Sequence, residues 1–136
     1  MRNANTVCLC GSTKYLEDFH EANVQLTRRG FSVITISEAL RRDDEQNSGL
    51  KKILDLVHLN KILRSDVVAV VGPGYVGEST AREILWADMQ GKRIVLLHDL
   101  KDAAEGIDYD AAAAWLRNTV TSHTRRACAM AMKVLQ

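Results

Sequence analysis

Apolar positions along this chain fall into two alternating patterns: short unbroken runs and longer stretches with helical spacing. Thr6 to Cys10 is a short apolar run and predicts a buried strand. Gly11-Ser12-Thr13 follows, with the residue types of a tight turn and a helix cap. Between Tyr15 and Arg29, Leu16, Phe19, Ala22, Asn23 and Leu26 recur at helical spacing, and Gly30 marks the end of that helix. Phe31 to Ile36 is rich in β-branched residues and predicts a second strand. Glu38 to Ser48 is charged and polar; it reads as a connecting loop, with a lid over a binding site as the functional alternative.

The second half repeats the alternation. Leu50 to Arg64 predicts a helix, with Leu50, Ile53, Leu54 and Val57 on one stripe that Leu59, Ile62 and Leu63 extend. Val67 to Val71 is apolar throughout, as expected for a parallel strand with helices on both faces. Ser79 to Gln90 predicts a third helix ended by Gly91, and Arg93 to Leu97 a fourth strand. Tyr109 to Leu135 reads as largely helical, with a candidate break where β-branched and polar residues cluster at Thr119 to Thr124. Strands alternating with helices predict one doubly wound α/β domain over residues 1–136, of the Rossmann or flavodoxin-like kind. Its mainly parallel sheet should hold four to five strands in the order 2-1-3-4. That order reverses between strands 1 and 3, where ligands bind at the carboxyl ends. The small-residue turns at Gly11-Ser12 and at Gly72 to Ser79 leave the ends of those two strands.

Composition narrows the picture little. The 136 residues are 46% apolar and 26% charged, with a net charge of +1, which gives no reason to expect a nucleic-acid polymer or a membrane as partner. No apolar run has membrane-spanning length and no signal peptide is visible. Cys8 and Cys10 alternate along the first strand and so share a face, but their C-x-C spacing lacks a second ligand pair. They read as buried thiols, and with Cys128 they fit a reduced, cytoplasmic setting. His20, His58, His98 and His123 are scattered, with His20 and His123 expected in solvent and His98 at the end of the fourth strand. No metal and no cofactor are expected.

The candidate chemistry lies between Asp66 and Glu83, where an apolar strand passes through a glycine loop into a helix. Gly77-Glu78-Ser79-Thr80 caps that helix, and its free N–H groups and dipole favour an anion or a sugar hydroxyl. A plain N-cap served by Ser79 or Thr80 is the bland alternative. No Gly-Lys-Ser/Thr follows, so the loop is not a P-loop, and the Gly72-x-Gly74-x-x-Gly77 spacing reads as chance. Glu83 lies three residues beyond Thr80 on the same helix face. A carboxylate there can attack an anomeric carbon or stabilise an oxocarbenium-like transition state; the alternative is an exposed glutamate paired with a basic residue. His58 lies on the apolar stripe of the second helix, either as a core histidine or within reach of a bound base. Tyr75 can stack on a base or simply cover its turn.

Three segments resemble the nucleoside 2-deoxyribosyltransferase-like superfamily, which includes nucleoside 5′-monophosphate N-glycosidases. Val7-Cys-Leu-Cys-Gly-Ser-Thr13 resembles its first strand and Gly-Ser loop, and Leu59-Asn-Lys-Ile-Leu-Arg-Ser-Asp-Val-Val68 resembles a helix-to-strand segment. Gly77-Glu-Ser-Thr-Ala-Arg-Glu-Ile-Leu-Trp-Ala-Asp-Met-Gln-Gly-Lys92 resembles the pattern D-x-G-T-x-x-E-[ILV]-G-x-A-x-x-x-G-K. The similarity runs from about Val7 to Leu97. It implies that Glu83 is the nucleophile forming a glycosyl-enzyme intermediate, with Gly11, Ser12, Gly77, Ser79 and Thr80 around the sugar or its 5′ substituent. A second base or water would resolve that intermediate. The chain departs from the pattern at Gly77 and His58, where members often carry aspartates, and at Cys8, where some carry tyrosine. His58 would then serve as general acid toward the leaving base. The resemblance also implies a homodimer or higher homo-oligomer, for which Ala111 to Leu116 and Ala127 to Leu135 are the candidate surfaces, against packing within the chain. The expected partner is a small-molecule nucleoside or nucleotide. The other functions considered are a non-catalytic nucleotide-binding or sensing domain on the same scaffold and a glycohydrolase for a different nucleotide.

Overall fold

Four short strands and four helices alternate in a computed structural model that describes residues 6–37, 48–98 and 108–136. In chain order they are β1 (Thr6–Cys10), α1 (Leu16–Arg28), β2 (Ser32–Ile34), α2 (Ser48–Leu63), β3 (Val67–Val71), α3 (Glu78–Met89), β4 (Arg93–Leu97) and α4 (Tyr109–Leu135). A single 3₁₀ turn at Thr13–Tyr15 leads from β1 into α1. The sheet is parallel throughout in the order β2-β1-β3-β4, as expected for a doubly wound α/β fold. Lid or loop, the segment at residues 38–47 lies outside the described residues; Ser48 already belongs to α2.

Alternation along the central strands divides the core in two. Val7, Leu9, Val67, Ala69, Val71 and Val95 face α1 and the first half of α4, where Phe19, Ala22, Leu26, Ala112 and Leu116 pack against them. Cys8, Cys10, Val68, Val70, Ile94 and Leu96 face the other way, toward Ile62 of α2, Ala81, Ile84 and Ala87 of α3, and Ala127 and Ala131 of α4. The β1–β3 pair is anchored at its start by Asp66, whose carboxylate accepts the Thr6 N–H at 2.9 Å while its own N–H donates to the Thr6 carbonyl at 2.8 Å. At the other end of the sheet, Lys61 donates to the Thr35 carbonyl at 2.8 Å, just beyond the three residues of β2 that pair with β1.

Three sequence expectations change. First, α2 buries Leu54, His58 and Ile62, one turn apart, while Ile53, Leu56, Val57 and Leu63 are exposed. The core stripe of this helix therefore includes His58, as its place on the apolar face implied, but leaves out Ile53 and Val57. Second, α4 does not break at Thr119 to Thr124. The helix is continuous because it passes across the open edge of β4, and its polar side chains there do the work of a fifth strand. The Thr124 hydroxyl accepts the Ile94 N–H at 3.0 Å, and His123 Nδ1 accepts the Leu96 N–H at 3.0 Å. An edge strand must have its donors met by solvent or by a cover, and here the cover is a helix. Third, His123 is thus partly buried and bonded, contrary to its expected place in solvent, whereas His20 and His98 are exposed. The alanines of α4 expected either at an oligomer surface or inside the chain include Ala112, Ala127 and Ala131, all buried within the chain.

Candidate functional site

The cleft opens where the strand order reverses, at the carboxyl ends of β1 and β3, and has a volume of about 280 Å³, near the lower end, roughly 300 Å³, for small-molecule sites. Gly11, Ser12 and Thr13 form one wall, Tyr75 and Gly77 through Thr80 form the opposite wall, Ile36 and Lys51 border it, and Glu83 lies within. Gly11 permits the two strand ends to converge: a Cβ added there would lie 2.6 Å from the Val71 carbonyl oxygen, at a φ of +154°. Gly72 turns the chain at a φ of +61° with the Tyr15 ring packed against its Cα, leaving no space for a side chain.

The α3 N-terminus is uncapped by any side chain. Gly77 is its N-cap, and Ala81 is the first residue to close a helical turn, donating to the Gly77 carbonyl at 2.9 Å. Glu78, Ser79 and Thr80 thus bring their N–H groups to the cleft without an intrahelical acceptor. The plain-cap alternative for Ser79 does not apply: its hydroxyl instead accepts Lys51 Nζ at 3.5 Å. Lys51 also pairs with Asp55 at 3.2 Å. This lysine was not singled out in the sequence, since its approach to α3 depends on how α2 docks. Tyr75 closes its own turn by donating its N–H to the Gly72 carbonyl at 3.1 Å, and its ring is exposed with Lys14 Nζ 3.7 Å from the centroid. A cation therefore already occupies one face of that ring.

Glu83 is no surface helix glutamate. It is 9% exposed overall, and its carboxylate lies 3.6 Å from His58 Nε2, an ion pair whenever that imidazole is protonated. His58 is 2% exposed and is not part of the cleft wall. It packs beneath Glu83, between α3 and β1, so it touches the carboxylate and not the open cleft. The same nitrogen, Nε2, is 3.2 Å from Cys10 Sγ and 3.9 Å from Cys8 Sγ. Cys8 falls from the ordinary 9.0 to about 6, chiefly because Cys10 donates to it and secondarily because His58 does, against the opposing effect of burial. Cys10 rises well above 9.0 because it gives its proton to that bond, because it is buried, and because Glu83 and Cys8 place negative charge beside it.

Among the residues picked out in the sequence, Gly11, Ser12, Tyr75, Gly77, Ser79, Thr80 and Glu83 all meet in this one cleft, with His58 directly behind Glu83. The convergence of Cys8, Cys10 and His58 was not read from the sequence. The alternation of the cysteines and the place of His58 on the apolar stripe were visible, but only the docking of α2 on that face of β1 joins them. No protein-family model matches the chain, and no curated protein matches it in sequence. No helix among the described residues is long and apolar enough to cross a membrane.

The site combines hydrogen-bond donors on two walls, a lysine at the border, and one buried carboxylate facing inward. Such a set is chemically able to hold a polyhydroxylated or anionic ligand beside one carboxylate.

Proposed function

We propose that this chain cleaves or exchanges the N-glycosidic bond of a (deoxy)nucleoside or its 5′-monophosphate through Glu83. The observation that carries this reading is the position of the Glu83 carboxylate: inside the cleft, between the Gly11-Ser12 turn and the open N-terminus of α3, and backed by a buried histidine. In this reading the pentose lies between the two turns. The N–H groups of Glu78 to Thr80 and the Lys51 ammonium meet its 5′ oxygen or phosphate.

Glu83 attacks C1′ and forms a glycosyl ester. The C1′–N bond breaks, and the base leaves with that electron pair and takes a proton from solvent at the open mouth. Water or a second base then attacks C1′, gives its proton to solvent and releases the carboxylate, giving hydrolysis or exchange from one intermediate. His58 touches no substrate here; it is a positioning residue that holds the carboxylate at its inner oxygen. A reduced cytoplasmic setting suits the three free thiols. The apolar side chains of Ile53, Leu56 and Val57, exposed along α2 near Lys51, support assembly with a second copy.

Incubation with a panel of nucleosides and 5′-monophosphates, with free base followed by chromatography, tests the reading. Release of base by the wild type and not by Glu83→Gln supports it. Tight binding of a monophosphate with no base released would make the cleft a nucleotide sensor instead.

A further inference from the structure

Behind the cleft, three soft or borderline ligand atoms converge from two elements distant in the sequence. Cys8 Sγ and Cys10 Sγ of β1 and Nε2 of His58 on α2 all lie within 4.8 Å of one another. We propose that Cys8, Cys10 and His58 form a binding site for a thiophilic divalent cation of the zinc class, with its fourth position turned toward Glu83.

The geometry suits such an ion. With bonds of about 2.3 Å to sulfur and about 2.0 Å to nitrogen, a tetrahedral zinc site has ligand–ligand edges of roughly 3.5 to 3.8 Å. The His58–Cys10 and His58–Cys8 separations, 3.2 and 3.9 Å, bracket that range, and the third edge, between the two sulfurs, lies within 4.8 Å, so side-chain adjustments of at most about 1 Å seat the ion. All three residues sit on packed elements: the cysteines are 0% exposed on a central strand, and His58 is 2% exposed in a helix interior. The donors are therefore held in place before any ion arrives. Glu83 reaches the same imidazole nitrogen at 3.6 Å from the cleft side, which places a carboxylate next to the open position and leaves the cleft as the route in.

Binding takes thiolate sulfur and an imidazole nitrogen free of its proton, so the Cys10 proton, and any proton on His58 Nε2, leaves to solvent as the dication enters. Three protein ligands of the Cys₂His kind, with one position left for solvent, match open zinc sites and not closed structural ones. An ion there would also engage the carboxylate that the glycosidic reading assigns to C1′, yet the site itself stands on the cysteines and histidine alone.

Cobalt(II) added to the full reduced chain is the test, because its spectrum reports both sulfur ligation and geometry. One equivalent should produce intense thiolate-to-cobalt charge-transfer absorption and strong tetrahedral visible bands. Added Zn²⁺ should abolish them. Cys8→Ala/Cys10→Ala, shown to be folded by circular dichroism, should lose both sets of bands while Cys128 remains. His58→Gln serves as a second variant should the first not fold, and should likewise lose the tetrahedral bands. Weak, octahedral cobalt absorption in the folded wild type overturns the proposal, as does an unchanged spectrum in a folded variant. No substrate enters this measurement, so its outcome is independent of whether any nucleotide is cleaved.

Discussion

The Glu83 carboxylate lies 3.6 Å from His58 Nε2, which ties the third helix to the second at the back of the cleft. Because His58 touches the carboxylate and not the cleft, the two residues should respond differently to substitution. Glu83→Gln keeps the volume and a hydrogen-bond acceptor but removes the nucleophile of the proposed reaction. Base release should fall by more than about 10³-fold, beyond the range for losing one electrostatic stabiliser, while the Km for a monophosphate changes little. Steady-state kinetics with a cleavable nucleotide check this; a variant retaining a tenth of wild-type turnover would remove Glu83 from the chemistry.

His58→Ala removes a fully packed ring between α3 and β1. The cavity and the loss of its contacts to Glu83 and Cys10 should cost roughly 2–4 kcal/mol of stability, read from chemical denaturation. Turnover should fall while Km stays near the wild-type value, since the ring does not line the cleft. His58→Gln, which can return an amide to the Glu83 side, should recover part of the lost kcat. A variant with altered Km and normal kcat would place His58 in contact with substrate instead.

Lys51 tests the choice between nucleoside and monophosphate. Its ammonium borders the cleft and reaches Ser79 Oγ at 3.5 Å, beside the open N–H groups of α3. If a 5′-phosphate sits there, Lys51→Met should raise Km for monophosphates about tenfold, the effect of losing one charged hydrogen bond worth about 1.5 kcal/mol, and leave nucleosides nearly unaffected. Equal effects on both substrate types would move the phosphate away from α3.

Much of this architecture was legible in the chain, because it rests on local patterns. An unbroken run such as Val67 to Val71 has one stable place, the middle of a helix-covered parallel sheet, and the turns after β1 and β3 follow from Gly11 and Gly72. What escaped depends on docking between distant elements. Ile53 and Leu54 are adjacent and equally apolar, and only the rotation of α2 decides that one is 58% exposed and the other 4%. The same rotation turns His58 onto the cysteines. The Thr119 to Thr124 cluster suggested a break because polar β-branched residues disfavour an isolated helix; contact with the β4 edge reverses that preference. Lys51 is likewise anonymous in the sequence until α2 is set beside α3.

Gly11→Ala probes how closely the strands converge. The added Cβ would meet the Val71 carbonyl oxygen at 2.6 Å, and the backbone φ of +154° is one that side chains rarely adopt. A destabilisation of about 1–3 kcal/mol is expected, with the cleft wall displaced and ligand binding weakened in parallel. Thermal unfolding checks the first effect, and a variant as stable as the wild type would show that the turn relaxes freely.

The His123–Leu96 bond makes an acid-dependent prediction. Burial, then the positive charge of Arg126 and the influence of His98, lower the His123 pKa from its ordinary 6.5, so the fold favours the neutral ring. Neutrality is also what the contact requires, because Nδ1 must accept the Leu96 N–H. The unfolded chain therefore takes up a proton first as the pH drops. The stabilisation is fully present above 6.5, declines as pH falls below that value, and stops declining once the folded ring also protonates. Carboxylates titrate lower and would confuse a single melting curve, so the informative quantity is the difference between wild type and His123→Gln, whose amide oxygen can accept the same N–H without charging. The stability of the wild type relative to this variant should fall between about pH 7.5 and about pH 5. A difference that stays constant across that interval would mean that the ring charges equally well in the folded chain, and that the edge of β4 does not depend on its neutral form.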